Sequence, residues 1–295
     1  MNILIFALEF PPISGGAGTY SYELSRGLVK DGHNVTVLTC SRGASDKENK
    51  IDSKLKSEGI TVIRKIWINK IWFLFWRFIF LRFLKDRNNF DLILLTDKNA
   101  QVVASQVPVK LLDKYALTMH GVEIDYYFGK PRLKDRIMFS VNKIKKLFNH
   151  ASGIIAVSEY LKKQLLDYGL DANKIRMVHH GIDPDDFPKL NNSDKQDLRN
   201  QIFARHGIEG DPKIIISASR LVENKGHDVL IKAFRKVLDQ DISAVLIIAG
   251  DGDQRTKLQG LTNELNLNSK VIFTGNLIRP ELIKYYAASD IFSML

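Results

Sequence analysis

Cysteine is almost missing from these 295 residues, with Cys40 as the only one. A single thiol excludes an intrachain disulfide and a site built from several thiolates, and it fits a reducing compartment such as the cytoplasm. Acidic residues are in deficit, 33 against 43 basic ones, which leaves a net charge of +10. That surplus points to an anionic partner, whether a phosphorylated substrate, an anionic membrane or nucleic acid. No basic leader or small-residue cleavage site accompanies the apolar run Asn2-Ile-Leu-Ile-Phe-Ala-Leu8. The run therefore reads as a first buried strand, and a secretory signal is not expected. No nucleic-acid-binding module is recognisable either, so nucleic acid drops out as a partner.

What the chain does have is alternation. Short apolar runs at 3–8, 35–39, 61–63, 92–95, 116–119, 153–157 and 175–178 alternate with helical patterns, as they do at 214–218, 244–249, 271–274 and 291–295. This is the signature of parallel α/β architecture. The helix expected over 227–238 is the clearest, because Val229, Leu230, Ala233, Phe234, Val237 and Leu238 form one stripe at a period near 3.6. Residues 183–194 are polar, hold two prolines and show no period. We expect an N-terminal domain over 1–185, a linker over 186–198 and a second domain over 199–295. The last run ends within an expected strand, so the second domain is expected to be incomplete.

Four segments carry chemistry. Pro11-Pro-Ile-Ser-Gly-Gly-Ala-Gly-Thr-Tyr20 joins the first strand to its helix, and Gly15, Gly16 and Gly18 allow backbone N–H groups to approach an anion. It fits a dinucleotide fingerprint poorly, since Ser21 stands where the last glycine would be and the loop is long. Between a strand and the 227–238 helix, Arg220 and Lys225 flank a loop. A guanidinium can clamp two phosphate oxygens while an ammonium adds a point charge, which makes a diphosphate site plausible. His120 follows a strand directly, at the end where ligands sit in parallel sheets. There it can orient a hydroxyl or exchange a proton, although a lone histidine is more often structural. Gly250-Asp-Gly-Asp253 has an Asp-x-Asp spacing, but glycines on both sides of Asp251 make a turn the better reading, and no metal is expected.

A fifth segment, residues 66–85, holds all three tryptophans, interrupted by Lys70, Arg77 and Arg82. The charges make it a poor membrane span, and the mixture suits an interfacial helix on an anionic membrane. A second basic stretch, Lys130 through Lys146, interleaves Leu133, Ile137, Ile144 and Leu147. A partly buried helix with a solvated basic face accounts for either segment equally well.

In order along the chain, Pro11-Pro-x-x-Gly15-Gly16, His120-Gly121, Val157-Ser-Glu159, His180-Gly-Ile-Asp183, Ser219-Arg220-Leu…Lys225-Gly226, Ala249-Gly-Asp-Gly252 and Phe273-x-Gly275 resemble the retaining family 4 glycosyltransferases. The resemblance implies a GT-B fold, with two Rossmann-like parallel-sheet domains facing a cleft. It implies a nucleotide-sugar donor, UDP- or GDP-linked, whose diphosphate meets Arg220 and Lys225, with Gly15 and Gly16 offering N–H groups and His120 lying near the transferred sugar. It further implies transfer with retention and without a metal or other cofactor, while the basic and aromatic segments, with analogy, lead us to expect a cell-envelope glycan or lipid-linked acceptor and a cytoplasmic protein peripheral on the inner face of the cytoplasmic membrane. The family also carries a pair of donor-contacting glutamates beyond the strand at 291–295. Their absence here leaves a second expectation, a truncated and inactive nucleotide-sugar-binding remnant.

Overall fold

A computed structural model describes residues 1–13, 15–43, 45–68, 72–86, 89–128, 141–187 and 189–294. The chain divides into two compact units, Met1–Ile182 and Asp183–Leu295.

In the first unit the strands are β1 (Asn2–Phe6), β2 (Asn34–Ser41), β3 (Ile60–Ile66), β4 (Leu92–Leu95), β5 (Tyr115–Met119), β6 (Gly153–Ala156) and β7 (Ile175–Met177). They form one parallel sheet in the order β3-β2-β1-β4-β5-β6-β7. Successive strands step one way from β1 to β3, and the chain then crosses to the other side of β1 and continues outward from β4. The seam between β1 and β4 is thus where the order reverses, and such switch points are where loops diverge and ligands bind. Ile3, Leu4, Ile5 and Phe6 of β1 are all buried, as a central parallel strand covered on both faces requires.

Helix α1 (Gly16–Lys30) begins earlier than the apolar pattern implies. Its buried positions are Gly18, Ser21 and Ser25, a stripe of small residues that brings the helix close to the sheet, with Tyr22, Leu24, Leu28 and Val29 packed beside it. Helices α2 (Ser45–Ser57), α3 (Trp72–Asp86), α4 (Lys98–Ser105), α5 (Val122–Tyr127), α6 (Val141–His150) and α7 (Glu159–Asp167) complete the described layers. In α6, Ile144, Leu147 and Phe148 point into the core while Lys143, Lys145 and Lys146 stay exposed, a solvated basic face on a partly buried helix. Lys130, Arg132, Lys134 and Arg136 of the expected basic stretch lie outside the described residues, as does Lys70.

Helix α3 corrects the reading of the aromatic segment. Trp76 and Phe80 are fully buried, with ring centroids 6.0 and 4.2 Å from that of Phe6 in β1. Trp76 is core, and only the other side of this helix is open to a membrane surface.

The second unit holds β8 (Lys213–Ala218), β9 (Ala244–Ala249), β10 (Val271–Gly275) and β11 (Ile291–Phe292), parallel in the order β10-β9-β8-β11. Its helices are α8 (Asn192–His206), α9 (His227–Leu238), α10 (Arg255–Glu264) and α11 (Arg279–Ala288). The order reverses here between β8 and β11. Residues 192–198 of the expected linker are the start of α8, so the linker is not irregular to residue 198. A capping box in which Asn191 and Asp194 exchange side-chain and backbone bonds starts that helix, and Gly207 ends it in the left-handed conformation. Its few buried positions, Arg199, Ile202 and Phe203, are too few to print a period on the sequence. Arg199 binds Asp211 and Asp290 at 2.8 and 2.9 Å and the carbonyls of Pro212 and Ala288, which ties α8 to the end of α11 and the approach to β8.

Candidate functional site

Both reversal points carry the residues that the sequence singles out. At the β1–β4 seam the chain leaves β1 through Leu8 and Glu9. Their N–H groups donate to one oxygen of Asp97, at 2.5 and 3.0 Å, while the other oxygen accepts from Ala100 N and caps α4. Burial pushes the Asp97 carboxyl up to about 6 against the pull of these three N–H groups. The glycine-rich loop then folds over Glu9. Gly18 N–H donates to the Glu9 carboxylate at 3.3 Å, and a Cβ on Gly15 would stand 1.6 Å from Glu9 Oε1. The anion-favouring start of α1 thus holds a carboxylate of the chain itself, which lies against Gly15. Gly16 is different, since a Cβ there would meet nothing within 4 Å.

His120 stands one seam further along, at the end of β5. Its Nε2 lies 2.8 Å from the Thr96 carbonyl. A carbonyl only accepts, so Nε2 carries a proton, and in the neutral ring Nδ1 is the acceptor. That Nδ1 is buried without a partner among the described residues. Glu123, itself buried, accepts from the N–H groups of His120 and Gly121 at 3.1 and 2.9 Å and fixes the turn. Two more rings converge on His120. Tyr20 of α1 and His180, just after β7, have centroids 5.0 and 5.3 Å away, and 4.9 Å from each other. Burial, with the neighbouring His120, lowers the pKa of His180 from its ordinary value. The reading of the sequence singled out neither Tyr20 nor His180 for a role, and it missed Thr96, Asp97 and Glu123. The position of Thr96-Asp97, directly after a buried strand, is the same signal that selected His120.

In the second unit, the loop after β8 carries Arg220 and Lys225 at the β8–β11 seam. It is laid against the Gly250–Gly252 turn after β9. Ser219 N donates to Ala249 O at 3.1 Å, Leu221 N to Asp251 O at 3.0 Å, and Gln254 N to Leu221 O at 3.0 Å. A Cβ on Gly250 or Gly252 would fall 1.9 Å from Ser219 O or 2.3 Å from Leu221 O, which is why both are glycine. Asp251 is a turn residue whose carboxylate accepts from Gly252 N at 2.8 Å and pairs with Arg255 at 2.9 Å. From the other side, buried His227 at the start of α9 joins Ser219 Oγ at 2.9 Å. The backbone is pinned on both flanks, yet Arg220 is exposed and neither it nor Lys225 has an ion-pair partner among the described residues. The loop thus presents two cations without counter-charges among the described residues, beside a helix start with no side-chain cap.

Comparison with known proteins agrees with this layout. The family model Glycosyltransferase Family 4 matches residues 14–186, and Glycosyl transferases group 1 matches residues 198–295. An uncharacterized glycosyltransferase of Methanocaldococcus jannaschii is 28% identical over 99% of this chain and 73% of its own length. The alpha-monoglucosyldiacylglycerol synthase of Streptococcus pneumoniae is 29% identical over 50% of this chain, a match that spans 33% of that relative. Among solved structures, Anabaena HepE in complex with UDP-glucose superposes with a TM-score of 0.75 at 20% identity, over 100% of this chain and 73% of its own. The parallel sheets described above are those of a GT-B fold.

Proposed function

From a chain that belongs to Glycosyltransferase Family 4, with a group 1 second unit, and is a hexosyltransferase-type enzyme, we propose the following reaction. It transfers a sugar from a UDP- or GDP-linked donor to a cell-envelope glycan or lipid-linked acceptor, with retention of configuration. The observation that carries the donor half is the pinned loop with unpaired Arg220 and Lys225. A diphosphate leaving group gains negative charge as the glycosidic bond breaks, and two fixed cations stabilise that charge without having to reorganise. Gly16, free of any packing demand, leaves room for close approach of a ligand to the backbone.

His120 serves the sugar end. Its bond to the Thr96 carbonyl places the Nε2 proton, and the neutral ring then offers Nδ1 as an acceptor for a hydroxyl of the transferred sugar once Tyr20 or His180 yields. The UDP-glucose bound by HepE and the diacylglycerol lipid in the pneumococcal relative's name support a nucleotide-sugar donor and a lipid acceptor.

Calorimetric titration with UDP, GDP and their sugar conjugates tests the donor site and names the base. Arg220→Ala should weaken the preferred nucleotide by about 2–3 kcal/mol, roughly 30–150-fold, the range of a charge-assisted bond lost. A loss below threefold would remove Arg220 from the site.

An anionic membrane surface completes the reading. Leu74, Arg77 and Phe78 lie on the open side of α3. Exchanging all three for Ser should reduce co-sedimentation with anionic vesicles while nucleotide affinity stays constant. Unchanged sedimentation would make this side an ordinary surface.

A further inference from the structure

Helix α3 is apolar on more sides than its sheet can cover. One stripe, Trp76-Phe80-Phe83-Leu84, is core. A second stripe at helical spacing, Phe75-Phe78-Ile79-Arg82, faces Ile63 and Lys65 of β3, the edge strand of its sheet. Between them lies an open groove of about 390 Å³, a volume within the range of small-molecule sites. Phe78 on its wall is 66% exposed, as is Ile66 at the strand's end. An exposed phenylalanine beside an apolar groove is a surface that gains by being covered.

The charges indicate what covers it. Among the described residues, the charged ones lining the groove are Lys65 and Arg82. Elsewhere on α3, Arg77 and Lys85 are exposed and basic, and Asp86 is the helix's one acid. A second copy of the chain docked face to face would set these cations against themselves, because a two-fold contact repeats the same patch on both sides. A ligand that is apolar along its length and anionic at its head meets both requirements.

We propose that the groove between β3 and α3 holds the hydrocarbon chain of an anionic amphiphile, with its acidic head against Lys65. This deepens the membrane part of the reading above and rests on it. It turns a general surface attraction into one stoichiometric lipid site, on the edge of the first unit's sheet farthest from β7.

The test is calorimetric titration of the whole chain with lauroyl lysophosphatidylglycerol below its micellar concentration, with dodecyl maltoside as the uncharged control. Tryptophan fluorescence follows binding in parallel, since Trp67 and Trp72 flank the connection between β3 and α3. The wild type should bind one equivalent of the anionic probe and bind the maltoside at least tenfold more weakly. Phe78→Glu, at an exposed position that leaves the core intact, should weaken the anionic probe at least tenfold while nucleotide affinity is unchanged. Lys65→Glu should erase the preference for the anionic head.

Equal binding of both probes, or binding indifferent to Phe78→Glu, would overturn the proposal. So would sedimentation showing a wild-type dimer that Phe78→Glu dissociates, since the groove would then be a subunit contact. Probe binding absent from a chain that still sediments with anionic vesicles would overturn the groove alone. Probe binding retained by a chain that ignores vesicles would overturn the membrane reading and leave the groove standing.

Discussion

Asp97 shows how one enclosed carboxylate shapes a site it does not chemically serve. It gathers the N–H groups of Leu8 and Glu9 onto one oxygen and that of Ala100 onto the other, so the exit from β1 and the start of α4 are set by the same side chain. Burial raises its carboxyl to about 6, whereas in the unfolded chain it titrates near 3.9. Between those two values the folded state holds a proton that the unfolded state releases. Stability from this group is therefore fullest below about pH 4, falls by up to about 3 kcal/mol as pH rises to about 6, and is level above that. Urea midpoints at intervals from pH 4 to 8, compared with Asp97→Asn, should show the wild-type advantage shrinking through this window. An advantage that grows with pH would mean the three N–H groups outweigh the desolvation. In the sequence, Thr96-Asp97 after Leu92–Leu95 was readable as a strand-end pair. Nothing in it distinguished a helix cap from an anchor for Leu8 and Glu9, which lie 89 and 88 positions away.

Among elements, the strands were legible because a buried parallel strand is a short apolar run and little else. Leu92–Leu95 and Ala244–Ala249 fall at the expected limits. What escaped was decided by packing without a period. The first turn of α1 starts on glycines, α8 buries an arginine, and α3 is so uniformly apolar that composition could not say which side carries Trp76. The donor loop was half legible. Its cations stand out, but the role of Gly250 and Gly252 as the surface it lies against comes from pairing between β8 and β9. Gly252→Ala tests that role. Its Cβ would lie 2.3 Å from Leu221 O, so the loop must shift. We expect about 1–3 kcal/mol of lost stability, the usual cost of forced backbone movement, and nucleotide affinity reduced at least tenfold. Affinity within twofold of wild type would detach the loop's position from binding.

At the scale of the molecule, each described hydrophobic cluster draws its buried residues from one unit only. The units therefore have separate cores, and separate unfolding transitions are expected in a calorimetric scan. Arg199→Ala strips the buried guanidinium from Asp211 and Asp290 and should remove about 3 kcal/mol from the second unit. The scan should show one transition lowered and the other in place. A single transition that moves as a whole would show the units unfold together.

The crossing from β3 to β4 also has a consequence in time. Leu8 leaves the ribosome 89 residues before Asp97, its anchor. At about 5–20 residues per second, that is roughly 5–20 s of synthesis. Throughout that interval β1 can pair with β2 but has no neighbour on its other edge, and in the second unit β8 waits likewise for β11. Each seam at which the strand order reverses is thus joined by a partner made much later, and an unpaired edge of Ile and Leu is what a chaperone would meet on the nascent chain.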